Sequence, residues 1–139
     1  MLIGLKKNQI SNLPANIIGI ERTSNIHELV EFYSSADIVL NLSYQETFGL
    51  TTVEGFACGT PGIVYNRTAS PELIEGEVGF IVEAGNIKQL LEAVNTIKNK
   101  GKNHYSTYCR QRAIDYYDKD KCYEKYIQLY EECLKKAPL

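Results

Sequence analysis

The stretch Glu46-Thr47-Phe48-Gly49-Leu50-Thr51-Thr52-Val53-Glu54 decides how the chain is read. It follows an apolar run, Ile38-Val39-Leu40-Asn41-Leu42, and leads into Gly55-Phe56-Ala57-Cys58-Gly59-Thr60-Pro61. The order is strand, short loop, helix, stop. Ile38 to Leu42 is nearly all apolar without alternation, the pattern of a parallel strand covered on both faces. Gly49 permits a tight turn or a close approach to a ligand. Gly59 suits the left-handed position past a helix end, and Pro61 prevents continuation. A helix is therefore predicted over Leu50 to Cys58, with its N-terminus at the carboxyl end of a buried strand, where open parallel sheets bind their ligands.

The two glutamates have different tasks available. Glu46 lies on the loop and reaches a polar group above the sheet edge. Glu54 lies one turn into the helix, on the face of Leu50 and Thr51. Between them, the backbone N–H groups of Phe48, Gly49 and Leu50 are expected to be free and to point outward with the positive end of the helix dipole, which favours an anion such as phosphate. Carboxylates flanking an anion site serve a ligand that also carries hydroxyls on both sides. A sugar–diphosphate–ribose fits that description.

Two glutamates separated by seven residues, with a Cys-Gly-Thr-Pro stop, resemble the signature of retaining glycosyltransferases of the GT-B fold, the glycosyl transferases group 1 family. Tyr33-Ser34-Ser35-Ala36-Asp37, Ser43, Ser70-Pro71-Glu72, Gly79-Phe80-Ile81-Val82 and Gly85-Asn86 fall in the family's order, so the resemblance covers roughly Leu2 to Val94. It implies that Glu54 binds ribose hydroxyls. Glu46 is then the catalytic-site glutamate at the donor sugar, and Thr47, Phe48, Gly49, Leu50 and Thr51 supply the amides around diphosphate and sugar. Arg22, after the preceding strand, is a candidate for base or phosphate; a surface pairing with Glu21 or Glu28 is the alternative. The donor is a UDP-, GDP- or ADP-sugar, with no other cofactor and no metal expected. The chain departs from the family pattern at Leu42 (usually proline), Thr47 (glycine), Gly55 (alanine) and Thr68-Ala69 (a glycine pair). Gly55 is expected to weaken its helix by up to about 1 kcal/mol relative to alanine. Side chains at Thr68-Ala69 narrow the space beside the donor sugar.

The fold class expected is α/β: a Rossmann-like, mostly parallel sheet flanked by helices, with a C-terminal helical extension. Residues 1–102 form the nucleotide-sugar-binding unit, incomplete at its N-terminus, and residues 103–139 form helices packing on it. Further strands are predicted at Met1–Leu5, Ile17–Ile20, Gly62–Asn66 and Gly79–Glu83. Asn25 with Glu28 opens a helix to Ser34 whose Ile26, Leu29, Val30 and Tyr33 form a core face. Ser70 is read as an N-cap with Pro71 as first helical residue, and Asn86 with Gln89 caps a helix to Lys98. Seven of the ten tyrosines lie from Tyr105 onward, six of them on helices predicted over Asn103–Tyr116 and Lys119–Lys135.

At 139 residues with net charge −2, the chain is sized for one domain and carries no general nucleic-acid grip. No run approaches the ~20 apolar residues of a membrane span. The four cysteines and two histidines show no metal-ligand spacing and no nucleophile–base device. A cytoplasmic protein is expected, peripheral to the inner membrane face in a full-length enzyme. The resemblance also implies an N-terminal acceptor domain and a basic arginine–lysine pair, neither of which this sequence contains, so the fragment alone is expected to be inactive. The full enzyme would transfer sugar to an acceptor hydroxyl in polysaccharide or glycoconjugate synthesis. Self-association through the tyrosine-rich helices is a further expectation. The alternative is a non-catalytic nucleotide-binding or protein-interaction module on the same scaffold.

Overall fold

The computed structural model describes residues 1–136. A parallel ladder of β3 (Val39–Asn41), β4 (Gly62–Tyr65) and β5 (Gly79–Val82), in that spatial order, forms the centre. A separate parallel pair joins β1 (Leu2–Ile3) to β2 (Gly19–Ile20). The helices are α1 (Lys7–Ile10), α2 (Ile26–Ser35), α3 (Leu50–Ala57), α4 (Ser70–Leu73), α5 (Ile87–Lys100), α6 (Lys102–Tyr116) and α7 (Lys119–Lys136). The alternation of parallel strand and helix is the expected α/β architecture.

β4 is buried along its whole length, as the continuous apolar run Gly-Ile-Val-Tyr demands of a central parallel strand. Phe56 on α3, Ile97 on α5, and Tyr105 and Cys109 on α6 close the core around it. Burial pushes the Cys109 thiol up to about 12, so it stays a neutral thiol packed in the core. All four cysteines are free.

The strands are shorter than predicted at their ends. The Ile17 N–H turns back to Pro14, so regular pairing along β2 begins at Gly19. Asn25 caps α2 as expected, its side chain accepting from the Glu28 N–H at 3.0 Å, and Asn86 caps α5 in the same way from Gln89. Ser70 is instead the first residue of α4, with Ala69 at the cap and the Ser70 hydroxyl buried without a partner. Thr68, at φ +47°, turns the chain two residues before the expected cap.

Two helical faces differ from their sequence reading. α2 has no fully buried residue, and Ile26 and Val30 are exposed. The two-residue strands β1 and β2 are themselves largely open, so little sheet lies beneath that face. α6 packs through Tyr105, Cys109 and Ala113, and its Arg110 donates to the Ala57 carbonyl at the end of α3. α7 buries nothing: Tyr123, Tyr126, Ile127, Tyr130 and Leu134 all lie exposed. Helical spacing alone does not say whether a partner surface exists. Residues 137–139 of the predicted C-terminal unit lie outside the described residues.

Gly55 is present for space rather than by default. A Cβ there would stand 2.6 Å from Val39 Cγ2, on the strand beneath. The expected helix-propensity penalty is therefore outweighed by the close approach of α3 to β3. Gly55→Ala is expected to lower stability by about 1–3 kcal/mol through overpacking, despite the gain in helix propensity. Urea denaturation of Gly55→Ala with and without Val39→Ala measures it, and the double substitution should recover part of the loss.

Candidate nucleotide-sugar site

Loop 42–49 rises from the carboxyl end of β3 and delivers the chain to α3. Gly49 is the helix cap with φ +92°, and a Cβ on it would meet Leu73 at 2.7 Å. Only glycine satisfies both the left-handed backbone and the contact. Phe48, half exposed, lays its ring edge-on to Tyr117 at the end of α6, with centroids 5.7 Å apart. Thr47 is exposed.

Glu46 is held from several directions. Its backbone N–H donates to the Thr68 hydroxyl at 2.9 Å, and its carbonyl accepts from the Ala69 N–H at 3.5 Å. One carboxylate oxygen, Oε2, accepts from Asn41 Nδ2 at 3.3 Å. The other, Oε1, accepts from the Thr47 N–H at 3.1 Å and the Phe48 N–H at 3.5 Å. The hydrogen bond from Asn41, with those from the Phe48, Thr47 and Gly49 amides, holds this carboxyl below the usual carboxylate range against a smaller opposing effect of desolvation.

This corrects the reading of the Phe48 and Gly49 amides as free anion donors. A negative group already sits there, and it is the Glu46 side chain. The N–H groups of Leu50 and Thr51 take no acceptor among the described residues, so these two first-turn amides remain open at the N-terminus of α3.

Glu54 is exposed on α3 and accepts a hydrogen bond from the Tyr33 hydroxyl of α2 at 2.8 Å. Burial and the Glu54 carboxylate push the Tyr33 phenol well above its ordinary value. The Thr60 hydroxyl donates to the Tyr33 carbonyl at 2.6 Å, which ties α2 to the turn after α3. Lys102 donates to the carbonyls of Tyr33 and Ser34, a cation at the negative end of α2, and its own desolvation lowers its pKa. Arg22 is exposed beyond β2 and forms no ion pair with Glu21 or Glu28.

Three residues of this constellation were not among the sequence-derived candidates. Asn41 had a signal: it is the one polar residue in the apolar run Ile38–Leu42. Tyr33 has the helical spacing of a core face, and spacing carries no signal for the hydroxyl that reaches Glu54. Thr68 carries the signal of a β-branched residue where the resembled family has glycine. Its left-handed backbone is the conformation glycine would adopt without strain. Among the described residues, no group of three His, Cys, Asp or Glu side chains is placed to hold a metal ion, and no helix is long and apolar enough to cross a membrane.

A parallel α/β unit with a glutamate loop and helix N-terminus at its carboxyl edge is the class that fold and site define. Residues 5–115 match the model of the glycosyl transferases group 1 family, and the chain belongs to that family. It is 31% identical over 107 residues to the GDP-mannose-dependent alpha-(1-6)-phosphatidylinositol dimannoside mannosyltransferase of Mycobacterium tuberculosis, a match covering 77% of this chain and 27% of that protein. It is 39% identical over 75 residues to the D-inositol 3-phosphate glycosyltransferase of an Arthrobacter species, covering 50% of this chain and 18% of that one. Among solved structures, sucrose-phosphate synthase from Thermosynechococcus elongatus superimposes with a TM-score of 0.77 at 25% identity, over 93% of this chain and 33% of its own. HepE of Anabaena, solved with UDP-glucose, gives 0.72 at 22% identity, over 90% of this chain and 35% of its own. The fold is thus that of GT-B glycosyltransferases. The chain spans about a quarter of the mannosyltransferase's length.

The Tyr33–Glu54 pair predicts an alkaline signature. A raised phenol stabilises the fold fully below the unfolded tyrosine value of about 10, and that contribution is lost as pH rises through the folded value. Phenolate absorbance should show two late-titrating tyrosines, Tyr33 and the buried Tyr105, whose phenol burial also raises. In Tyr33→Phe one late step disappears.

Proposed function

We propose that this chain is the donor-binding part of a glycosyltransferase that uses a nucleotide-diphosphate sugar. One observation carries the reading: the open amides of Leu50 and Thr51 lie between two glutamates, at the carboxyl end of a parallel strand. Amides and dipole suit the diphosphate, Glu54 suits the ribose hydroxyls, and Glu46 suits the hydroxyls of the transferred sugar. Family membership and the UDP-glucose in the HepE structure support the same ligand class.

In the complete enzyme, the acceptor hydroxyl would come from a separate acceptor domain. Its oxygen attacks the anomeric carbon on the face from which the diphosphate departs, the carbon–phosphate-oxygen bond breaks, and the departing phosphate oxygen takes the hydroxyl proton. The configuration is retained. Amides of the first turn of α3 stabilise the charge that develops on the leaving diphosphate. This chemistry needs no carboxylate nucleophile. Glu46 acts by orienting the sugar, and Arg22, after β2, stands as the base- or phosphate-contacting candidate.

The test is an amide NMR titration of the chain with UDP, GDP and ADP. Shifts at Leu50 and Thr51, spreading to Phe48, are expected with one of them. Glu54→Ala should weaken that binding by about 10- to 100-fold, as expected for losing hydrogen bonds to a charged acceptor. A chain that shows no shift with any nucleotide at millimolar concentration overturns the reading. Shifts that Glu54→Ala leaves intact would overturn the ribose role of Glu54 alone.

A further inference from the structure

Asn41 stands out chemically within β3. Its neighbours Ile38, Val39, Leu40 and Leu42 are aliphatic, and it is only 6% exposed. A buried carboxamide costs free energy unless its polar atoms find partners, so a residue of this kind in an apolar strand is accounted for by what it contacts. Its Nδ2 lies 3.3 Å from Thr52 Oγ1 and 3.3 Å from Glu46 Oε2. Thr52 is itself immobile. It is fully buried, and its methyl group packs so closely on β4 that a Cβ on Gly62 would stand 2.9 Å from it. A continuous path therefore runs from the packed core through Thr52 and Asn41 to the carboxylate of an otherwise loop-borne glutamate.

We propose that Asn41 is a positioning residue for Glu46, holding one carboxylate oxygen in place while the other is free to turn from the loop amides to the ligand. The two oxygens are divided between different partners. Oε1 takes the Thr47 and Phe48 amides, and Oε2 takes Asn41. A ligand anion arriving at the loop competes with Oε1 for those amides and leaves the Oε2 contact untouched. Glu46 then pivots about Asn41 instead of leaving the site, and Oε1 becomes free to accept from a sugar hydroxyl. Thr68 and Ala69 fix the main chain of the same residue, so the pivot is confined to the side chain. The hydrogen bond from Asn41 also favours the ionised carboxyl, the form that accepts hydroxyl hydrogens. This proposal rests on the donor-site reading for the ligand, while the hold on Glu46 is a property of the chain alone.

The test uses Asn41→Leu, which keeps the volume and removes the donor, with thermal unfolding as the control for folding. Carbon-detected NMR of the Glu46 carboxyl is expected to show titration at higher pH than in the unsubstituted chain. Asn41→Asp, which sets a second carboxylate beside Glu46, should raise it further and serves if Asn41→Leu does not fold. With UDP and UDP-glucose as probes, Asn41→Leu should reduce the preference for the sugar-bearing ligand about tenfold, with UDP itself bound within about twofold of normal. Glu46→Ala should cost the same preference, and the two substitutions together should cost no more than either. A Glu46 titration unchanged in both Asn41 variants overturns the positioning role. Lack of any nucleotide shift in the unsubstituted chain overturns the donor site instead, so the two failures are distinct.

Discussion

The close approach of α3 to the sheet sets everything at the carboxyl edge. Where Gly55 faces Val39 and Gly62 faces Thr52, a single methyl group would force the helix away from the strands. That contact fixes the height at which the first turn of α3 projects its amides. It also fixes Thr52 beside Asn41, and hence the carboxylate of Glu46. On the opposite face of the same helix, it turns Glu54 toward Tyr33. Steric constraint in the core thus governs electrostatic arrangement at the surface, because close-packed interiors transmit small displacements rather than absorb them.

The second support comes from α6. Arg110 satisfies the last carbonyl of α3, Ser106 donates to the Gly59 carbonyl at 2.8 Å, and Tyr117 receives the Phe48 ring. Arg112 pairs with Glu75, donates to the Glu72 carbonyl and stacks over Tyr116 at 4.2 Å, tying the segment after α4 to α6. α6 and the residue that ends it therefore clamp the C-terminal end of α3 and the loop before that helix. α7 contributes none of this. Its tyrosine-lined face has the periodicity of a packed helix and none of the burial.

The state of the loop amides bears on how the site would work. Glu46 places its own carboxylate over the Thr47 and Phe48 amides, so those donors already have an anionic acceptor within the loop. Under the proposed donor role, an incoming anion would displace an intramolecular carboxylate that needs no further ordering. The open amides of Leu50 and Thr51 would give it a first point of contact without that competition. The strain of Thr68, in a backbone region that β-branched residues rarely adopt, is borne where its hydroxyl anchors the same loop.

The sequence alone determined the strand–loop–helix order around Glu46, the stop at Gly59 and Pro61, the caps at Asn25 and Asn86, and the parallel α/β class. These follow from local rules: apolar runs, left-handed glycine positions and side chains that bond backbone three residues away. It also singled out Glu46 and Glu54, because their spacing matched a family pattern. Only the tertiary structure decided that Gly55 is a spacer, that Asn41 and Tyr33 serve the two glutamates, that the Phe48 amide is already occupied, and that the faces of α2 and α7 lie open. Each of those depends on what another element brings to within a few ångströms. Periodicity records which residues share a face of a helix; it carries no record of what, if anything, lies opposite.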